Sequence, residues 1–212
     1  MLTAALVATG ARVLTVEVDP DLAWTVREQF GTRVEAVRGD FLRFEIPEGA
    51  RIVANLPFSI TAEAVRHIVR SGATDAHLIV QREAAERFAG APWGRETLPS
   101  LELKPWWHVE VLRPLRRTDF DPPPSVDCVY LWLARRRPAL VEDERAYRAF
   151  LGRTFGRGRT LREALRSVFT RPQVERLARD LRLPLDAPPS TATFEQWLAL
   201  FRASSHLRED ER

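Results

Sequence analysis

The sequence predicts an α/β fold in which a largely parallel sheet is followed by a smaller helical domain. Two observations carry this. Up to Phe88, short runs rich in β-branched residues alternate with amphipathic stretches of helical period, the pattern of βαβ units. After Arg135-Arg136-Arg137-Pro138 the strand pattern gives way to four successive helical stretches. The boundary falls near residue 137, which gives domains 1–137 and 138–212.

Leu2 to Thr9 reads as the end of an apolar helix closed by Gly10. Ala11 to Val18 is a strand, and Asp19-Pro20 then caps and starts a helix to about Gln29, with Gly31 as its stop. Val34 to Val37 is a short strand ending at Gly39-Asp40, and Arg51 to Ala54 is the next. Thr61 to Arg70 is a helix with Ile60, Ala64, Val65, Ile68 and Val69 on one face. Ala76 to Val80 is a strand and Arg82 to Phe88 a helix. Trp107 to Leu112 and Val126 to Leu133 have no helix pattern between them, so the sheet is expected to finish antiparallel. Their link, Asp119 to Ser125, holds three consecutive prolines and reads as rigid and extended. Glu142–Phe155, Thr160–Phe169, Pro172–Leu181 and Thr193–Ala203 read as helices, the last with Phe194, Trp197, Leu198 and Phe201 on its apolar face.

Bulk properties narrow the class. A hydrophobic content of 45% and a charged content of 29% are those of a soluble globular chain. One cysteine, Cys128, excludes an internal disulfide framework and a cysteine-built zinc site. No apolar run reaches the ~18 residues that a membrane span needs, and residues 1–9 lack the basic flank of a signal peptide. A cytoplasmic protein is expected. The net charge of +3 hides an asymmetry: residues 1–134 hold 15 basic and 18 acidic residues, residues 135–212 hold 17 and 11. Eleven arginines lie between Arg145 and Arg182, against Glu163, Glu175 and Asp180. Such crowding suits a phosphate backbone, and equally a solvated helix face. Within it, Arg157, Arg159 and Arg162 flank Gly156 and Gly158 at the mouth of a predicted helix.

Three successive strand ends carry polar groups. Glu17 ends the first strand, Asp40 follows the second, and Asn55 ends the third, just before Leu56-Pro57-Phe58. The carboxyl edge of an α/β sheet is where such folds bind ligands. An acid at the end of the second strand of a Rossmann-like sheet accepts from ribose hydroxyls. An acid after the next strand can accept from an adenine amine. At the third end, the Asn55 amide oxygen and the adjoining backbone carbonyls can accept from an exocyclic amine. Pro57 stiffens the turn, and Phe58 offers a face for a flipped base. Taken singly, Glu17 reads equally as a helix-start charge, Asp40 as a turn residue, and Asn-Leu-Pro-Phe as a strand end with its turn.

In order along the chain, Val16-Glu17-Val18-Asp19, Gly39-Asp40-Phe41, Asn55-Leu56-Pro57-Phe58 and Phe120-Asp121-Pro122-Pro123-Pro124-Ser125-Val126 resemble the motifs of the rRNA adenine-N6 methyltransferases. Leu103-Lys104-Pro105-Trp106-Trp107-His108, Phe155-Gly156-Arg157-Gly158-Arg159 and Phe194-Glu195-Gln196-Trp197-Leu198-Ala199-Leu200-Phe201 are similar to segments of the Erm group, the macrolide–lincosamide–streptogramin resistance methyltransferases. The resemblance implies a Rossmann-like S-adenosylmethionine-dependent sheet, 23S ribosomal RNA as partner, a monomer, and no metal. It implies that Glu17 binds the cofactor ribose and Asp40 its adenine. Asn55 and the Leu56 carbonyl would hold the target N6, with Asn55 also beside the cofactor. Phe58 would stack on the flipped base. Phe120 would pack near the methyl or the base, or else anchor the proline-rich loop in the core. Arg157, Arg159 and Arg162 would meet the RNA backbone. The small-subunit rRNA dimethyladenosine transferase, which shares the catalytic motif, and a non-catalytic RNA-binding remnant are the rival readings. The family's glycine-rich cofactor loop has no counterpart before Gly10, so an N-terminally truncated sheet is expected, in which Ala11–Val18 and Arg51–Ala54 lack the strand between them.

Overall fold

The computed structural model describes residues 2–210, which fall into two compact units divided between Val80 and Gln81. In the first unit, helix α1 (Leu2–Ala8) ends as Gly10, at φ +78°, donates to the Val7 carbonyl. Strand β1 (Val13–Glu17) leads into helix α2 (Pro20–Phe30). Asp19 caps that helix by accepting from the Asp21 N–H at 2.8 Å and the Leu22 N–H at 3.4 Å, with Pro20 in the first turn. Gly31 stops it at φ +55°, a backbone shape that disfavours any other residue. Strand β2 (Val34–Arg38) runs parallel to β1, in register from Val13 opposite Val34 to Glu17 opposite Arg38. Val13, Phe30 and Val34 form the small core here, with Ala4, Leu6, Val7 and Val26 packed on it.

Strand β3 (Arg51–Asn55), helix α3 (Thr61–Arg70) and strand β4 (Asp75–Gln81) form a βαβ unit with β3 parallel to β4. The Arg51 guanidinium donates to both Asp75 carboxylate oxygens, at 2.9 and 3.1 Å, and fixes the start of the register. On α3, Ala64, Val65 and Ile68 are buried, three of the five residues expected on its apolar face. Strands β1 and β2 form one sheet and β3 belongs to another. Among the described residues, no strand joins β1 to β3.

The second unit holds helices α4 (Arg82–Ala89) and α5 (Leu98–Leu103), then strands β5 (Trp107–Leu115) and β6 (Cys128–Arg135). The last two pair antiparallel, as expected, with a bulge between Val111 and Arg113 that turns Leu112 to solvent. Helices α6 (Glu144–Thr154), α7 (Leu161–Leu165), α8 (Arg171–Leu181) and α9 (Phe194–Asp210) follow. Phe194, Trp197, Leu198 and Phe201 are all buried, so the predicted apolar face of α9 is the one that packs. Tyr147 and Phe201 meet edge to face at 5.1 Å, and the same core takes in Leu101 and Trp106. Residue 137 thus lies inside the second unit, because residues on both sides of it share one core. Among the described residues, no helix is long and apolar enough to cross a membrane.

Candidate active site

The carboxyl ends of β1 and β2 lie side by side, and the Gly39 N–H donates to the Glu17 carbonyl at 3.0 Å. The half-buried Glu17 carboxylate accepts from the Asp19 N–H at 3.3 Å. Just beyond it, Val18 is 71% exposed and Leu22 53% exposed, so an acid stands beside an apolar step. Asp40 opens a 3-10 turn, Phe41–Arg43: its Oδ1 accepts from the Leu42 N–H at 2.9 Å, and Oδ2 lies 3.8 Å from Arg43 Nε.

Asn55 ends β3 in solvent. The next residue, Leu56, is buried, and its N–H donates to the Ile79 carbonyl at 3.2 Å, one residue beyond the strand. Pro57 then turns the chain into the 3-10 turn Phe58–Ile60, and its carbonyl accepts from the Ile60 N–H at 3.1 Å and the Thr61 hydroxyl at 3.3 Å. The tip is therefore held at both ends by hydrogen bonds, while Asn55 and Phe58, the latter 40% exposed, lie at the surface. The turns after β2 and after β3 both pack against α3. The first unit thus brings Glu17, Asp40 and the Asn55–Phe58 tip onto the sheet-end turns.

Phe120 lies in the second unit, half-buried, after a turn that Asp119 holds by accepting from the Arg116 N–H at 3.0 Å and its guanidinium at 3.2 Å. The Arg116 N–H is the main reason the Asp119 carboxyl sits below its ordinary pKa. Arg157 and Arg159 are exposed on a turn whose Gly156 and Gly158 have φ of +80° and +77°. A Cβ at Gly158 would fall 2.6 Å from that of Glu163, whose carboxylate accepts from the Arg159 N–H at 2.7 Å. Arg162 differs from its neighbours. Its guanidinium is bonded to Glu175 and to Asp186, and the bond to Glu175 is the leading cause of its raised pKa. Two carboxylates already hold its Nε and Nη1.

Sequence reasoning missed two features. Lys104 is buried with Glu96, and His67 reaches from α3 to the Asp40 turn. The first had a signal, since Lys104 is the chain's only lysine. The second depends on an interaction spanning 23 residues of chain, which no local pattern marks.

These elements compose an α/β methyltransferase fold. The structure matches the crystal structure of the 23S rRNA methyltransferase ErmE with a TM-score of 0.89 at 27% identity, over 97% of this chain and 86% of that one. A dimethyladenosine transferase from Plasmodium falciparum shares the fold at a TM-score of 0.64 and 18% identity, over 92% and 83% of the two chains. The family described as ribosomal RNA adenine dimethylase matches residues 1–204, and the chain belongs to it. Mycinamicin-resistance protein MyrB of Micromonospora griseorubida is 32% identical over 207 residues, which are 95% of this chain and 66% of MyrB. Ribosomal RNA small subunit methyltransferase A of a Synechococcus species is 32% identical over 212 residues, with 94% and 75% covered. The chain is thus a member of a family of rRNA adenine methyltransferases.

Proposed function

We propose that this protein transfers a methyl group from S-adenosylmethionine to N6 of an adenosine in 23S ribosomal RNA, acts in the cytoplasm as a monomer, and so confers macrolide–lincosamide–streptogramin resistance. The observation that carries this is the fastened Asn55–Phe58 tip, an exposed amide residue and an exposed aromatic in the same compact unit as Glu17 and Asp40 at the other strand ends. The similarity to ErmE, and the Erm-like segments at Leu103–His108 and Phe194–Phe201, support the large-subunit target.

The donor set fits the nucleoside half of the cofactor. Glu17 can accept from two ribose hydroxyls, Asp40 from the adenine amine, and the exposed Val18 side chain offers the purine an apolar face. When bound, S-adenosylmethionine supplies an electrophilic methyl on a sulfonium leaving group. The protein's part is to position and desolvate the acceptor. The adenine N6 lone pair is delocalised into the ring, so the amine is a poor nucleophile at rest. Hydrogen bonds from N6 to the Asn55 amide oxygen and the Leu56 carbonyl favour a more pyramidal nitrogen as positive charge develops. Phe58 stacks on the flipped base. Arg157 and Arg159 offer phosphate contacts, while Arg162 braces α7 against α8 and the Asp186 loop. In functional terms, residues 1–137 carry the chemistry and 138–212 the RNA backbone.

Two rivals have observations behind them. Small-subunit relatives at comparable identity favour a 16S target. The divided sheet favours an RNA-binding chain without catalysis. The test is to offer protein-free 23S and 16S rRNA separately with radiolabelled S-adenosylmethionine and to identify labelled nucleosides by chromatography. Labelled N6-methyladenosines in 23S rRNA are expected. Label confined to 16S rRNA supports the first rival, and RNA binding without label supports the second.

A further inference from the structure

On the footing of the cofactor role proposed for Asp40, we propose that His67 is a positioning residue that sets the Asp40 turn against the Asn55–Phe58 tip. His67 lies half-buried on α3. Its Nε2 is 2.8 Å from the Phe44 carbonyl oxygen. A carbonyl only accepts, so Nε2 carries the proton and donates. The same ring meets Phe41 edge to face, with centroids 5.4 Å apart and planes at 87°. One imidazole therefore grips both ends of the short segment that follows Asp40.

Inside that segment the bonds are local. Asp40 Oδ1 accepts from the Leu42 N–H at 2.9 Å, and the Phe44 N–H donates to the Phe41 carbonyl at 3.2 Å. These bonds shape the turn but do not locate it. Location comes from α3, which begins where the tip ends, with the Thr61 hydroxyl donating to the Pro57 carbonyl at 3.3 Å. A helix advances ~1.5 Å per residue and is stiff over two turns. The distance from Thr61 to His67 is therefore fixed, and His67 carries that fixed frame across to Asp40. In the methyltransferase reading, Asp40 holds the adenine of the cofactor and Asn55 the target base. His67 then sets the register of donor against acceptor without touching either.

The full chain is compared with H67F, which keeps an aromatic ring and loses the donor, H67Q, which keeps a donor, and D40A. S-adenosylmethionine affinity is read by equilibrium dialysis, and amide hydrogen exchange by NMR. H67F is expected to weaken cofactor binding about fivefold, the size of one net hydrogen bond. Exchange should quicken at Leu42 and Phe44 while the amides of β3 and β4 keep their wild-type rates. H67Q should restore most of both, and D40A should weaken binding at least as much as H67F. Wild-type affinity and exchange in H67F, with D40A weakened, overturn the role of His67 alone. Wild-type affinity in D40A removes the cofactor role of Asp40, and the positioning role falls with it. Faster exchange throughout β3 and β4 in H67F, unrepaired by H67Q, makes His67 a general stability residue and also overturns the proposal.

Discussion

Lys104 Nζ lies 2.6 Å from Glu96 Oε1 and 3.3 Å from the Ala91 carbonyl, and the Ser100 hydroxyl donates to Glu96 Oε2 at 2.6 Å. Both charged side chains are nearly out of water, at 9% and 1% exposure. Removing one partner leaves the other charged and buried, which costs ~3–5 kcal/mol. K104M should lower unfolding stability in urea by about that much, and the E96Q/K104M pair should recover a good part of it. A K104M loss below ~0.5 kcal/mol would show that this buried pair does not hold the fold. Lys104 being the only lysine was a signal in the sequence, but its burial and its partner were not legible, because a lysine reads as surface and the partner is fixed by tertiary packing. Phe58 stands at the opposite extreme. Its place directly after Asn55-Leu56-Pro57 marked it at once, and it lies at the surface. Base stacking is worth ~1–3 kcal/mol, so F58A should lower kcat/KM for RNA by roughly tenfold or more, while F58Y stays near wild type. Equal values for F58A and wild type would remove the stacking role.

At the scale of elements, helix ends were the easiest to read. Asp19-Pro20 and Gly31 bound α2 because caps act through the nearest backbone groups, and the structure places them within one residue of expectation. Strand β6 begins at Cys128 rather than Val126, and α7 covers only Leu161–Leu165 of the expected Thr160–Phe169, since cross-strand register and loop packing decide such limits. The arginine-rich turn shows the same division. Its glycines and charges were visible, but not that Arg162 is engaged by Glu175 and Asp186 on later elements. The two kinds of arginine should behave differently. R157Q/R159Q should weaken RNA binding and flatten the log–log salt dependence by about 0.7–0.9 for each phosphate that is no longer neutralised. R162Q should leave the slope intact and lower thermal stability instead. A slope unchanged in R157Q/R159Q would direct the search for the RNA surface to Arg113, Arg116 and Arg117.

For the whole molecule, the alternation of strands and helices was enough to give the parallel pairs β1–β2 and β3–β4 and the antiparallel β5–β6. The three polar strand ends were legible for the same reason: a position at a strand's carboxyl end is a local property with a global consequence. The tie from His67 to the Asp40 turn was not, because it rests on how α3 packs.

The central claim is that the Asn55–Phe58 tip performs N6 chemistry on an rRNA adenosine. The most direct measurement is single-turnover methyl transfer to 23S rRNA by wild type and by N55A, alongside RNA affinity for both. Asn55 acts on the N6 amine, whereas phosphate contacts carry affinity, so the two quantities should separate. The account predicts that N55A loses methyl transfer while binding RNA as tightly as wild type. Transfer by N55A within about twofold of wild type would contradict it.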